Sequence, residues 1–309
     1  MFGQFFVLFA MVGVGCLCSR RGWITQEVNT GLGSLVMQVT CPALLFVTIS
    51  GNDIAPGRLP VYFGVAAAQY GAMLLGGGLM RLFCRDRGYS AGELGMLECS
   101  LATVNNGFIG LPVAMLFFGQ VAALYMSAAF FGVHLYLWTY GIYALQGKGG
   151  ALSWKAMARK IVNPNCMMVF LGLLFSLTGW AGYLPVFLKD FLSTLGNLST
   201  PLSLIYIGAM AGNTGLKRLL GQGEAMRLAL LKMLLFPGLT AAVLYVLPAE
   251  PMLKTAFLVS MTCPCAAIMP MVTEQYGTGR EMALDVTLLT TFFSMLTLPA
   301  CIWLCGVLF

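Results

Sequence analysis

Two side-chain amides stand together inside a long apolar run. In TVNNGFIGLP, at 103–112, Asn105 and Asn106 precede Gly107, Gly110 and Pro112. Each amide offers donors and an acceptor, so the pair can serve backbone groups, water or a polar ligand. Glycine permits sharp backbone geometry and proline removes an intrahelical hydrogen bond, so a helix would unwind at the same place. A second cluster, MTCPCAAIMP at 261–270, sets Cys263, Pro264 and Cys265 side by side, with Pro270 closing it. This chemistry binds rather than reacts. No apolar run holds paired aspartates or a Ser/His couple, and His134 is the only histidine, so an enzyme is not expected. The ten cysteines lie mostly in apolar runs without a CxxC pair, which reads as small buried side chains. Neither a metal nor another cofactor is expected.

The elements that carry these clusters belong to a membrane protein. The chain of 309 residues is 59% hydrophobic and 9% charged, where a soluble domain carries about 25% charged residues. Its mean hydropathy is +0.86. Apolar runs of roughly 20 residues, long enough to cross a bilayer as helices, recur from end to end. Breakers divide them into ten spans, at 3–19, 28–50, 59–80, 93–118, 121–145, 164–182, 186–211, 227–247, 252–276 and 282–308. The net charge of +6 is scattered singly through short gaps, which marks a membrane face and not a nucleic-acid partner. Arg20 and Arg21 follow the first run instead of preceding it, the reverse of a signal peptide, so that run is expected to stay as a helix.

Alternate gaps hold Arg20 and Arg21; Arg81, Arg85 and Arg87; Lys148, Lys155, Arg159 and Lys160; Lys217, Arg218 and Arg227; and Arg280. The other gaps hold only Arg58, Lys189 and Lys254, with Lys232 left inside the eighth run. By the positive-inside rule both termini face outward. The two halves, 1–146 and 147–309, also echo each other. GW at 22–23 matches GW at 179–180, Pro42 matches Pro201, and Pro112 matches Pro270, all at nearly one offset. Each half has five spans, so the second copy is inverted. Inverted repeats with interrupted helices are a transporter signature, with the site where the breaks meet. Asn105 and Pro264 each lie about twelve residues, or ~18 Å, from opposite ends of spans four and nine. Both therefore reach the centre of the bilayer. Unwound backbone survives there only inside protein or beside a wet cavity. The plainer alternative is a single Asn hydrogen-bonding two helices together.

Half-helices that begin after the breaks would point N–H groups and positive dipole ends at the centre, attracting an anion. Apart from Lys232 no span holds a basic residue well inside it, so the dipoles are expected to do most of this. Pro42 and Pro201 would bend spans two and seven, and together with Pro112 and Pro270 are candidates for hinges or gates, with plain packing kinks as the alternative. Among ionisable residues inside spans, Glu98 is the first candidate for ion coupling, at about 8 Å from the start of its span and so within reach of water. Glu274 and Asp285 are weaker ones, and His134 reads as a packed ring.

At these residues the chain resembles the auxin efflux carrier family, which includes plant auxin transporters and bacterial permeases for small organic anions. The matching pieces are CPALLF after RRGW, NNGFIGLP in span four, NPN at 163–165, TPLSLIYIGAMAG in span seven and EQYGTGREMALDVTLLTTFFSMLTLP at 274–299. The resemblance implies an all-α fold of ten transmembrane helices in two inverted five-helix repeats. Spans one, two, six and seven would form a scaffold that usually dimerises. Spans three to five and eight to ten would form a moving transport domain, with broken spans four and nine crossing at the substrate site. The implied mechanism is alternating access of elevator type. Asn105 matches the family's crossover asparagine and Pro264 its crossover proline. Val104 stands where plant members have a proline, and Cys265 where they tend to have a polar amide. With the short 146–163 loop, these departures argue against auxin as substrate.

The expectation is a transporter in the plasma or inner membrane that moves a small organic anion, a mono- or dicarboxylate. Asn105, Asn106 and Gly107 would bind it, helped by Cys263, Pro264 and Cys265. The alternatives are a Na⁺- or H⁺-coupled exchanger using Glu98, and a non-transporting receptor on the same fold. Substrate, direction and coupling ion are not legible in the sequence.

Overall fold

The computed structural model describes residues 2–52, 54–147, 162–214, 219 and 221–309. The segment 148–161, which holds four of the basic gap residues and most of the junction between the halves, lies outside the described residues, as do Lys217 and Arg218.

A chain this apolar satisfies its backbone within helices, and every element among the described residues is helical. The first half holds α1 (Phe2–Arg20), α2 (Gln26–Leu35), α3 (Cys41–Ser50), α4 (Leu59–Cys84), α5 (Ala91–Ala102), α6 (Leu111–Tyr136) and α7 (Ile142–Leu145). The second holds α8 (Pro164–Thr178), α9 (Val186–Asn197), α10 (Ser199–Thr214), α11 (Gly223–Val246), α12 (Pro251–Thr262), α13 (Met269–Gln275) and α14 (Arg280–Leu308). Five helical stretches are long and apolar enough to cross a membrane: Gln26–Ser50, Pro56–Cys84, Ala91–Leu145, Gly223–Val246 and Arg280–Leu308. The third is interrupted after α5 and turns back within α6 at Gly119, where φ is 77°. Such a left-handed residue reverses the chain at little cost only when it lacks a Cβ. This is a multi-pass helical membrane protein.

The helices pack as two groups. In one, α1 runs along α10 and α3 packs on α8 and α9. The α1–α10 contact is backbone against backbone. A Cβ on Gly15 would fall on the Ile205 carbonyl, and Cβ atoms on Gly208 and Gly212 would fall on the Val12 and Cys16 carbonyls. The GAMAG run at 208–212 thus acts as the small-residue spacing that lets membrane helices approach closely. The NPN run has a local reason too. Asn163 accepts from the Cys166 N–H at 3.1 Å to start α8, Pro164 fills its first position, and the Asn165 amide donates to the Met37 carbonyl at 3.0 Å. Met37 sits in the π-turn Val36–Thr40, which joins α2 to α3.

In the other group α4 packs on α5 and α6, α12 on α6 and α14, and α11 on α12 and α14. The groups meet where α3 and α8 touch α6 and where α10 touches the turn Asn106–Gly110 and α14. At that seam Ser203 of α10 donates to the Phe108 carbonyl at 3.2 Å, and the rings of Phe108 and Tyr206 meet edge to face, with centroids 5.5 Å apart.

The four prolines act differently from the expected interior kinks. Pro42, Pro112 and Pro270 lie in the first turn of α3, α6 and α13, and Pro201 is the third residue of α10. Pro42 and Pro112 nonetheless follow π-turns without a break in the helical backbone, so each removes an intrahelical hydrogen bond and the wider turn before it accommodates the loss. The irregularity in the second span is the π-turn ahead of Pro42, not a kink at the proline itself.

Candidate functional site

Two helices stop inside the protein, and they stop alike. α5 and α12 are each 12 residues long, and each is followed by an extended residue: Thr103 at φ −67°, ψ 145° and Cys263 at φ −60°, ψ 146°. A helix that ends away from water leaves backbone groups needing partners. Here the two ends satisfy each other. The Asn105 N–H donates to the Pro264 carbonyl at 2.8 Å, so the breaks cross at their backbones. The Cys265 N–H donates to Thr290 Oγ1 of α14 at 3.1 Å. Pro264 has no N–H to satisfy at all. After the first break the chain resumes as the π-turn Asn106–Gly110, whose first turn is capped by Asn105: Oδ1 accepts from the Phe108 N–H at 3.4 Å. Gly107 lies under the Phe130 ring, which a Cβ would approach within 2.7 Å.

The neighbouring amides have different tasks. Asn106 Nδ2 donates to Ser260 Oγ at 2.8 Å, and that hydroxyl donates to Gln69 Oε1 at 2.8 Å. Gln69 in turn donates to the Met261 sulfur at 3.3 Å. The chain Asn106–Ser260–Gln69 ties the first break to α12 and α4 and uses Asn106 structurally. Asn105 is the one left with capacity. It is 5% exposed, and its Nδ2 has no hydrogen-bond partner among the described residues. Cys263 and Cys265 are fully buried, and all ten cysteines are free thiols.

A residue set aside in the sequence stands at the crossing. Lys232 of α11, 1% exposed, donates from Nζ to the Thr103 carbonyl at 2.6 Å and lies 3.5 Å from Cys265 Sγ. Its ammonium is 5.9 Å from the centroid of the Phe236 ring. The expectation that helix dipoles work there almost alone is therefore corrected: a basic side chain reaches the breaks. The signal was available, because a lone lysine in an apolar run is costly unless it has a task.

Glu98 needs the opposite correction. It is not near water but 1% exposed in α5, where it accepts from Arg81 Nη1 at 2.9 Å and from the Tyr140 hydroxyl at 2.5 Å. Arg81, counted among the gap charges, sits in the last turn of α4 and turns inward to make this pair. Glu274 is paired with Arg280 at 3.1 Å, and Asp285 is buried in α14. His134 Nδ1 lies 3.2 Å from the Phe130 carbonyl, with its ring packed on that residue's ring, 4.2 Å between centroids. No group of three or more His, Cys, Asp or Glu side chains among the described residues could hold a metal.

The crossing itself is closed, and a cavity of about 340 Å³ stands beside it, between the two helix groups. Asn29 and Asn213 line it from one group and Pro270 and Arg280 from the other, with Tyr206 as part of the wall. Tyr206 links this cavity to the turn Asn106–Gly110, because its ring packs on that of Phe108. A smaller cavity of about 130 Å³, lined by Asn52, Arg58, Tyr62 and Tyr125, lies where α3 meets α4 and α6.

Known proteins resemble the chain both in part and along its length. An uncharacterized transporter of Methanocaldococcus jannaschii is 23% identical over 310 residues, spanning 96% of each chain. Residues 151–302, which include α8 to α13 and most of α14, match the family model described as membrane transport protein. Over its second half the chain is thus similar to this membrane transport family, and its motifs resemble those of the auxin efflux carriers.

Proposed function

We propose that the protein is a secondary transporter of a small organic anion, a mono- or dicarboxylate, with its substrate site at the crossing of the two broken helices. The observation that carries this reading is the contact of the breaks, Asn105 N–H to Pro264 carbonyl at 2.8 Å, with the unpartnered Asn105 amide beside it. Broken helices crossing at a site between repeats are a recurrent transporter device. Asn105 donates to a carboxylate oxygen, and Asn106 and Gly107 hold the turn in shape. Cys263, Pro264 and Cys265 form the opposite wall through their backbone rather than their thiols.

In this reading the helices make ten crossings in two inverted repeats of five. The group containing α1, α3 and α8 to α10 is the fixed scaffold. The group containing α4 to α7 and α11 to α14 carries the site across the membrane. The separate packing of the two groups and the polar cavity at their seam support such a movement. Arg280, paired with Glu274, and the amides of Asn29 and Asn213 give that cavity a polar lining through which an anion could pass. The bias of basic residues between runs supports an orientation with Arg280 on the cytoplasmic side and both termini outside, in a plasma or inner membrane. Dimerisation through the scaffold is part of the same proposal.

The test is flux in proteoliposomes against a panel of labelled mono- and dicarboxylates. Wild type is expected to accumulate at least one of them, and Asn105→Ala to lose that flux while remaining monodisperse. Unchanged flux in the variant would reject the site.

A further inference from the structure

Buried amides are normally hydrogen-bonded, and Asn29 departs from that rule. It is 5% exposed in α2, and its Oδ1 has no partner among the described residues. Asn29 lines the cavity of about 340 Å³ at the seam of the two helix groups. One water needs only ~15 Å³, so the cavity has room for a small solute. Asn213 lines it from the same side, since α2 packs on α10. Its Oδ1 accepts from the Ser19 hydroxyl at 2.5 Å, which leaves the NH2 end for a ligand. Arg280 comes from the opposite group and is the charged residue of the lining. Its Nε is engaged by Glu274 at 3.1 Å, and the guanidinium has no other partner among the described residues. The Nη1/Nη2 edge therefore remains, with two parallel N–H groups in the spacing a carboxylate accepts. Glu274 is 59% exposed, so water screens the charge it brings. One cation matches one negative charge. The Asn29 amide calls for a different group, and a hydroxyl, which both donates and accepts, meets it whichever end is presented. Asn105, Asn106 and Cys265 do not line this cavity.

We infer that the seam cavity is a second binding site, separate from the crossing, for a small hydroxycarboxylate, and that its occupant holds the two helix groups together. The carboxylate lies on Arg280 and Asn213, and the hydroxyl serves Asn29. The site itself stands on the cavity and its lining; the holding action rests on the transport reading above. Because the lining comes from both groups, the site is complete only in the present arrangement. A ligand shifts an equilibrium by its difference in affinity for the two states. An occupant that binds this arrangement alone must leave before the groups can part. At a free concentration ten times its Kd, the unoccupied fraction is about one eleventh, and movement slows by about the same factor.

Hydrogen–deuterium exchange of the purified protein reads the site, with L-lactate as the probe and propionate, which lacks the hydroxyl, beside it. Saturating lactate is expected to slow exchange on both sides of the seam, at 26–30 and 206–214 and at 270–284. Propionate should need a roughly tenfold higher concentration for the same protection, the worth of one hydrogen bond. Arg280→Gln and Asn29→Ala should each lose the protection on both sides. Asn29→Ser replaces the alanine variant if that one exchanges differently from wild type without ligand. Absent protection, protection confined to 270–284, or equal protection by propionate would overturn the inference. Protection that disappears in Asn105→Ala would put the ligand at the crossing, removing the second site and leaving the transport reading intact. Protection kept in Asn105→Ala alongside normal flux would reject the transport site and leave the seam site standing. The holding action is read in proteoliposomes, as slowed flux of another accepted carboxylate relative to each protein's own rate without lactate. Wild type should slow about elevenfold at ten times Kd and Arg280→Gln far less; equal slowing in both would overturn that part.

Discussion

The two breaks at the crossing have the same backbone and opposite chemistry. Each follows a twelve-residue helix and begins with an extended residue. After α5, side chains do the work: Asn105 caps the next turn, and Asn106 joins Ser260 and Gln69. After α12, amides are replaced by thiols and a proline, and the backbone is served by neighbours, Asn105 on one side and Thr290 on the other. The second break is therefore satisfied from outside itself, whereas the first adds amides of its own to the help it takes from Lys232 and Pro264. A break that brings its own amides keeps one to spare for a ligand. That is why Asn105, and not Cys265, is the expected point of substrate contact.

This contrast can be broken from either side. Converting the first break to the chemistry of the second, by Asn105→Cys, is expected to have the largest effect. A lost hydrogen bond to a charged group is worth about 1.5–3 kcal/mol, so flux of the accepted anion should fall roughly 10- to 100-fold. Proteoliposome uptake measures it, and retention of more than half the wild-type rate would place the ligand elsewhere. Next comes Ser260→Ala, which strands Asn106 and Gln69 together in the interior. Each buried polar group left without a partner costs about 1–3 kcal/mol, so the melting temperature of the purified protein should drop clearly. Thr290→Val leaves only the Cys265 N–H unpartnered, and should cost about 1 kcal/mol, a smaller drop in the same melting experiment. Ser203→Ala is expected to matter least. Its buried hydroxyl divides between the Phe108 carbonyl and the Thr200 carbonyl of its own helix, so stability should change by about 0.5 kcal/mol, the low end for a lost hydrogen bond. A large change there would mean that the seam between the groups is a structural bond rather than a surface made to part.

The first break was legible because glycine, proline and adjacent amides are all expensive in an apolar run, and TVNNGFIGLP concentrates them. Pro264 was legible through its distance from the end of its run. The partners were not. Ser260, Gln69 and Thr290 are single polar residues in apolar helices, and such residues commonly bond to their own preceding turn. Their pairing depends on which helices cross, a contact some 190 residues apart for Ser260 and Gln69. Arg81 was read by its position relative to the runs, as a marker of sidedness, and Lys232 was set aside as the exception inside its run, while both side chains turn inward to polar partners. Glu98 follows from Arg81: once the guanidinium is inside, the carboxylate is paired instead of wet.

The contact of α1 with α10 has a mechanical consequence. At Gly15, Gly208 and Gly212 the helix backbones approach so closely that a Cβ would fall on a carbonyl of the partner helix. Rotamers can flip, and long side chains can yield; peptide planes do neither. That pair of helices is stiff against shear, and a load applied along the bilayer normal would be passed on whole instead of being absorbed. In the proposed transport cycle, this pair of helices would be the rigid side of the seam.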